Sequence, residues 1–140
     1  MKVKEIISVI ESFAPLSIQE SWDNSGLCVG SPEDEVTSVL MGLDCTPQLV
    51  DEAVACGADM IITHHPLIFS GLKRITPDNQ VGEAVIKAIK AGIAIYAAHT
   101  SADKVIAGVS GAMAARLGLM DVQILDEDGE GTGLGVVGNL

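Results

Sequence analysis

The sequence has 140 residues, 48% of them hydrophobic, and its 19 acidic against 8 basic side chains give a formal net charge of −11. This length fits one domain spanning residues 1–140, and so high an apolar content excludes an intrinsically disordered chain. The acidic balance argues against binding extended nucleic acid, which requires many Lys and Arg contacts with phosphates. No apolar stretch approaches the roughly 20 residues that span a bilayer, and acidic residues near the N-terminus do not match a signal peptide. We therefore expect a cytoplasmic protein without a membrane partner.

Helix and strand patterns alternate along the first hundred residues. Apolar side chains spaced three or four apart predict an amphipathic helix that begins at Val3 and ends before Pro15. A turn-rich segment and a short strand at 27–29 come next. The predicted elements that follow are strand 36–43, helix 47–56, strand 59–63, helix 81–91 and strand 93–98. Such alternation predicts right-handed βαβ units, so we expect an α/β fold with a mainly parallel or mixed sheet flanked by helices.

Local signals define several of these boundaries. Thr46 is a suitable N-cap with Pro47 at the first helical position, and Gly57 and Gly92 are suitable helix ends. In the last third, a helix is predicted from about residue 104 to 117, followed by an edge strand at 122–125. Residues 129–138 contain five glycines and are left unassigned as too flexible.

Polar side chains follow each of three successive predicted strands. Asp44 follows the first, His64 and His65 the second, and His99 and Asp103 the third, a set that includes all three histidines of the chain. Ligands bind beyond the carboxyl ends of strands in open parallel sheets, so these groups are expected to lie at one edge.

Imidazole and carboxylate groups together are the usual ligands of Zn, Mn, Fe and related ions. Neighbouring residues of a strand point to opposite faces, so His64 and His65 can share a site only because Pro66 ends the strand. If the two rings diverge by some tens of degrees while remaining close, each can hold one divalent ion, and a carboxylate such as Asp103 can be shared between the two ions, which gives a dinuclear centre. The sequence does not distinguish Zn, Mn, Fe, Ni and Mg.

Alternative interpretations of these residues stay open. Each histidine can be a hydrogen-bonded structural residue, and Asp44 can simply precede a helix cap. Cys45 is either a soft ligand or a buried inert thiol, and Trp22 is expected to be a core or rim anchor rather than a base-stacking platform. Three cysteines without Cys-x-x-Cys spacing indicate reduced thiols.

Five segments of the sequence together resemble a known family. They are SWDNSGLCVG (21–30), LDCTP (43–47), ITHHPLIF (62–69), HTSAD (99–103) and GTGLG (131–135). In this order they are similar to the successive motifs of the GTP cyclohydrolase 1 type 2 homologues, also called the Nif-three-like family. The resemblance covers essentially the whole sequence and implies an α/β fold, a di-metal centre and a toroidal hexamer.

The resemblance also implies roles for individual residues. His64, His65 and Asp103 match family metal ligands, and His99 matches a motif histidine beside the metals. Ser101 and Ala102 depart from the Asn and Leu that the family has at these positions. The family's further His-x-x-x-Glu ligand motif has no counterpart here, so the sequence resembles the N-terminal part of a family member.

Two functions follow from the sequence. The first is a di-metal hydrolase in which a metal-activated water attacks a nucleotide or related small molecule and His99 transfers a proton. GTP and other substrates with phosphate or C–N bonds both remain open. The alternative is a non-catalytic, metal-binding, ring-forming adaptor or regulatory protein.

Overall fold

The computed structural model describes residues 1–129 and 131–140. Its helices are α1 (Val3–Phe13), a 3-10 helix (Leu16–Ile18), α2 (Pro47–Cys56), α3 (Gln80–Ala91), α4 (Thr100–Asp103) and α5 (Val109–Leu117). Its strands are β1 (Gly26–Val29), β2 (Val39–Gly42), β3 (Met60–Thr63), β4 (Ala94–Ala97), β5 (Met120–Gly129) and β6 (Thr132–Asn139). Among the described helices, none combines the length and apolar character needed to cross a membrane.

The main sheet has four strands in the order β1-β4-β3-β2. The inner pairs β2/β3 and β3/β4 are parallel, and β1 is antiparallel to β4. This arrangement confirms the predicted α/β class with a mixed sheet. Thr63 at the end of β3 is in register with Gly42 of β2 and Ala97 of β4. The three parallel strands therefore end level with one another, and the residues that follow them emerge at one edge.

Apolar side chains cover both faces of this sheet. On one face Ile61 and Ile95 pack in a cluster with Val50 of α2 and Val85 of α3. On the other face a second cluster packs around α1 and includes Val3, Val36, Met60, Ala94 and Tyr96. Burial on both faces explains why the inner strands are nearly continuous apolar runs.

The residues predicted to begin and end α2 and to end α3 do so in the structure. The Thr46 hydroxyl accepts a hydrogen bond from the Leu49 amide (3.2 Å), and Pro47 begins α2. Gly57 and Gly92 end α2 and α3 in the left-handed conformation, which glycine adopts without a steric cost. Strand β2 is shorter than predicted because Val36 packs in the α1 cluster instead of joining the sheet.

The helix predicted over 104–117 is confirmed from Val109 to Leu117 and ends before Gly118, but it begins five residues later than predicted. The chain forms α4 and α5 with a break between them, where Lys104 turns inward to pair with Glu20 (3.0 Å) and Asp128. Gly108 lies at this break, and a Cβ there would lie only 1.8 Å from the carbonyl oxygen of Ala102. Close packing of Gly108 against the end of α4 therefore delays the start of α5 to Val109.

The glycine-rich segment 129–138 is also more ordered than the sequence indicated. Strand β6 pairs antiparallel with β5, which is longer than the predicted strand 122–125, in a separate two-stranded hairpin. Gly133 donates its amide to the Lys104 carbonyl (2.9 Å), and a Cβ at Gly133 would lie 2.1 Å from the Asp126 carbonyl. Glycine thus permits this close pairing, while residue 130 lies outside the described residues.

We predict that Gly108→Ala destabilises the protein by about 1–3 kcal/mol, because the added methyl group must displace the Ala102 backbone. The free energy of unfolding in urea measures this loss. Gly71→Ala is the matched control, since no atom lies within 4 Å of a Cβ built there, and we expect a change within about 0.5 kcal/mol. Equal stability of the two variants would contradict the packing described here.

Candidate metal centre

The three histidines meet at the edge where the parallel strands end. The ring centroids of His64 and His65 are 5.0 Å apart, and His99 lies 5.1 Å from the first and 5.5 Å from the second. One ring nitrogen of each residue lies within 4.8 Å of the other two, a spacing that can hold a metal ion. We call His64, His65 and His99 the three-histidine cluster.

Backbone pairing beyond β3 brings the two adjacent histidines to the same side. The His64 amide donates to the Gly42 carbonyl (3.4 Å), and the His65 amide donates to the Leu43 carbonyl (3.0 Å). The Thr63 hydroxyl donates to the His65 carbonyl (2.9 Å), which closes a tight turn before Pro66. The regular strand alternation is lost at this turn, so both rings face the cluster, as the sequence predicted.

Every ring of the cluster has its Nδ1 atom beside a hydrogen-bond acceptor. The acceptors are the Ala98 carbonyl for His64 (3.0 Å), Asp44 Oδ1 for His65 (2.7 Å) and Asp23 Oδ1 for His99 (2.9 Å). An acceptor in this position holds the proton on Nδ1 and leaves the Nε2 lone pair free. Metal-ligating histidines have this same arrangement, in which the second ring nitrogen donates to a carboxylate or carbonyl.

Asp23 is the functional residue that the sequence analysis missed. Its side chain is fully buried and accepts hydrogen bonds from His99, from the Ser25 hydroxyl (2.9 Å) and from the Thr100 amide (3.0 Å) and hydroxyl. Burial opposes ionisation, but hydrogen bonds, led by the one from the Thr100 hydroxyl, outweigh it and hold the pKa of Asp23 well below its usual range. Asp23 is therefore a buried carboxylate that fixes the orientation of His99.

Asp103 lies next to the cluster. The His99 carbonyl accepts the Asp103 amide (3.1 Å), which places the two residues one helical turn apart. Asp103 Oδ1 is 3.5 Å from Nε2 of His64, so it reaches one imidazole, although it is not part of the tight three-nitrogen group. The structure thus brings together all four residues predicted for the site.

The alternatives for Asp44 and Cys45 are now distinguishable. Asp44 accepts from His65 and so orients a ring of the cluster. Burial raises the pKa of the Cys45 thiol to about 12, and the neighbouring Cys28 adds to this shift. Because the thiolate is the metal-binding form, Cys45 is a poor ligand at neutral pH.

Trp22 lies at the rim of the cluster, with 57% of its surface exposed, and is therefore outside the core. Its ring centroid is 6.0 Å from that of His99, in an edge-to-face arrangement. The ring centroid of Phe69 lies 6.0 Å from that of Trp22, and Phe69 is also exposed. Of the two positions proposed for Trp22, the structure supports the rim.

Comparison with known proteins identifies relatives along the whole chain. The family model described as Duf34/NIF3 (NGG1p interacting factor 3) matches residues 1–140. A GTP cyclohydrolase 1 type 2 homolog of Clostridium acetobutylicum is 42% identical over 125 residues, which are 89% of this chain and 47% of the relative. A protein of the same name from Lactococcus lactis is 40% identical over 140 residues, which are all of this chain and 53% of the relative. The chain thus spans about half the length of these relatives.

Solved structures agree with this assignment. Staphylococcus aureus protein SA1388 superposes with a TM-score of 0.87 at 38% identity, covering 91% of this chain and 36% of that protein. A Bacillus cereus protein related to NIF3 gives a TM-score of 0.84 at 44% identity, and the match covers 89% of this chain and 34% of that protein. Reduced HcgD from Methanocaldococcus jannaschii gives a TM-score of 0.83 at 32% identity, and the match covers 92% of this chain and 52% of that protein.

We predict that Asp23→Asn lowers the free energy of unfolding at pH 7 by about 1.5–3 kcal/mol, because the amide loses charge-assisted hydrogen bonds. The folded-state pKa of Asp23 is depressed, so its stabilisation is present above the unfolded pKa near 4 and disappears as pH falls through the lower folded value. Urea unfolding of the variant and of the unmodified chain measures the difference in their free energies of unfolding. This difference should be constant from pH 7 to about pH 4 and should shrink between about pH 4 and pH 2.

Asp51→Asn serves as the control for this measurement. The exposed Asp51 carboxylate accepts from Lys87 (2.7 Å), and such surface pairs contribute about 0–1 kcal/mol. The ionic role of Asp23 would be ruled out if the difference in the free energy of unfolding between Asp23→Asn and the unmodified chain stayed the same down to pH 2.

Proposed function

Because this chain belongs to the Duf34/NIF3 family, we propose that His64, His65 and Asp103 hold a divalent metal ion beside His99 and that this centre hydrolyses a nucleotide or related small molecule. The observation that carries this proposal is the common orientation of the three imidazoles. Each Nδ1 is beside an acceptor, so each ring offers its Nε2 lone pair to the space between the rings. Purely structural histidines would not need three independent acceptors that leave three lone pairs facing one another.

The donor set suits a borderline metal ion. Imidazoles with one carboxylate favour Zn, Mn or Fe, and His64, His65 and Asp103 would be the ligands. A bound divalent ion would supply Lewis acidity and lower the pKa of a coordinated water from 15.7 toward about 7. Two ions, as the sequence analysis predicts, need more donors than these few groups offer, so the metal stoichiometry is an informative measurement.

His99 is suited to proton transfer beside such an ion. The Asp23 carboxylate holds the proton on Nδ1 of His99 (2.9 Å) and stabilises the imidazolium that forms when Nε2 accepts a second proton. The His99 side chain is 16% exposed, so it can exchange that proton with a substrate or water at the cluster. We assign it the role of proton carrier between water and leaving group.

The proposed substrate class follows from the relatives and from charge. The name GTP cyclohydrolase 1 type 2 homolog indicates a purine nucleotide. The chain carries a net charge of −11 and has carboxylates around the cluster. These carboxylates would repel a nucleotide phosphate, so its binding at this edge would require the positive charge of the metal ion.

A metal-binding adaptor that assembles into a ring is the second candidate. One observation favours it: Val109, Met113 and Leu117 are exposed along one face of α5. An apolar helix face of this kind is typical of contacts between protein chains. Metal binding without turnover of GTP in any metal form would support this candidate over the hydrolase.

We predict that replacing both His64 and His65 by Ala lowers metal affinity by more than about 100-fold, beyond the 10–100-fold effect of losing an outer-shell partner. Calorimetric titration of the metal-free chain with Zn²⁺ or Mn²⁺ measures the affinity and the number of ions per chain. Cys45→Ala is the control and should retain the metal, because its thiol is protonated at neutral pH. Tight metal binding by the double variant would refute the proposed centre.

We predict that His99→Ala retains the metal but lowers the rate of hydrolysis by about 10²–10⁴-fold, the usual contribution of a general acid or base. Metal content and product formation from GTP are measured on the same preparation. Loss of the metal in this variant would make His99 a ligand and would reject its role as proton carrier.

A further inference from the structure

Two aromatic side chains lie exposed beside the three-histidine cluster. Trp22 is 57% and Phe69 is 54% exposed, and their ring centroids are 6.0 Å apart with an interplanar angle of 49°. The other two aromatic residues of the chain lie elsewhere: Tyr96 is buried under α1, and Phe13 belongs to α1 itself. We call Trp22 and Phe69 the aromatic platform.

Hydrogen bonds hold the two loops of the aromatic platform together. The Asn24 side chain donates to the Ile68 carbonyl (2.6 Å), which joins the residues after Trp22 to those before Phe69. The Asn24 amide donates to the buried Asp23 carboxylate (2.6 Å), so the same loop is attached to the cluster. The two loops that carry the rings are therefore held beside each other before a ligand arrives, which reduces the entropic cost of binding.

The position of the aromatic platform relates it to the chemistry of the cluster. Trp22 meets His99 edge to face at 6.0 Å, so a ring stacked on the platform would lie beside the proposed proton carrier. Both rings of the aromatic platform are more than half exposed, so part of each ring is open to contact with a third ring. An apolar surface with adjoining polar groups is typical of small-molecule sites.

We propose that the aromatic platform binds the planar heteroaromatic ring of the substrate, such as a purine base, and directs it toward the three-histidine cluster. This inference deepens the proposed function and rests on it for the identity of the site. An uncharged ring suits this rim because the neighbouring carboxylates repel anions. Stacking would thus select ligands that carry a base over ligands that carry only a sugar or phosphate.

The chain's single Trp makes this testable by intrinsic fluorescence, because excitation at the long-wavelength edge of Trp absorption, where Tyr96 hardly absorbs, reports on Trp22. The metal-loaded protein is titrated with guanosine and, separately, with ribose, which lacks the base. We expect saturable quenching by guanosine and none by ribose. Phe69→Leu should weaken guanosine binding about tenfold, within the range of one aromatic stacking contact.

Phe13→Leu provides the matched control, since Phe13 is 49% exposed but lies on α1, outside the aromatic platform. It should leave guanosine affinity unchanged. Trp22→Phe, followed by calorimetry in place of fluorescence, should retain a ring face and keep most of the affinity, which separates loss of stacking from misfolding.

The outcomes separate this inference from the proposed function. Metal binding with no guanosine quenching, or quenching unaffected by Phe69→Leu, overturns the aromatic platform and leaves the metal centre standing. Guanosine binding without any metal binding overturns the centre and supports the platform. Concentration-dependent dimerisation that Phe69→Leu abolishes would show that a second copy covers these rings, which also overturns the inference.

Discussion

The parallel register of β2, β3 and β4 is the constraint on which the rest of the structure depends. Because these strands end level with one another, the residues after them share one edge of the sheet although they are far apart in the sequence. Apolar clusters on both faces hold the strands in this register. A shift by one residue would turn the strand side chains to the opposite face and separate the histidines from their acceptors.

Three different kinds of acceptor orient the three-histidine cluster. A backbone carbonyl serves His64, an exposed carboxylate serves His65, and a buried carboxylate serves His99. The His99 pair is the most enclosed, and its carboxylate receives several further hydrogen bonds from the first turn of α4 and from Ser25. Electrostatic interactions are stronger where water is excluded, so the His99 orientation is the most firmly held of the three.

Sequence patterns predicted the parts of the molecule that depend on nearby residues. The Thr46-Pro47 start and Gly57 end of α2 involve contacts within a few positions, and the shared edge of the histidines follows from strand order alone. Asp23 escaped prediction because its partner His99 is 76 positions away, and only the packing of the loop shows that they meet.

The late start of α5 and the missed strand β6 have the same origin. The break between α4 and α5 depends on ion pairs of Lys104, one of them with a residue 84 positions earlier. Strand β6 was missed because glycine is depleted in strands, whereas here it allows a close approach of two backbones.

The segment that carries the histidines, their acceptors and Asp103 runs from residue 23 to residue 103, ahead of α5 and the β5–β6 hairpin. The hairpin belongs to a different sheet and meets this segment through the Lys104 backbone and side chain. The geometry of the three-histidine cluster therefore depends on contacts that are complete ahead of this junction. Proteins of different overall size superpose on about nine-tenths of this chain, so the same strand-edge arrangement occurs in chains of different length.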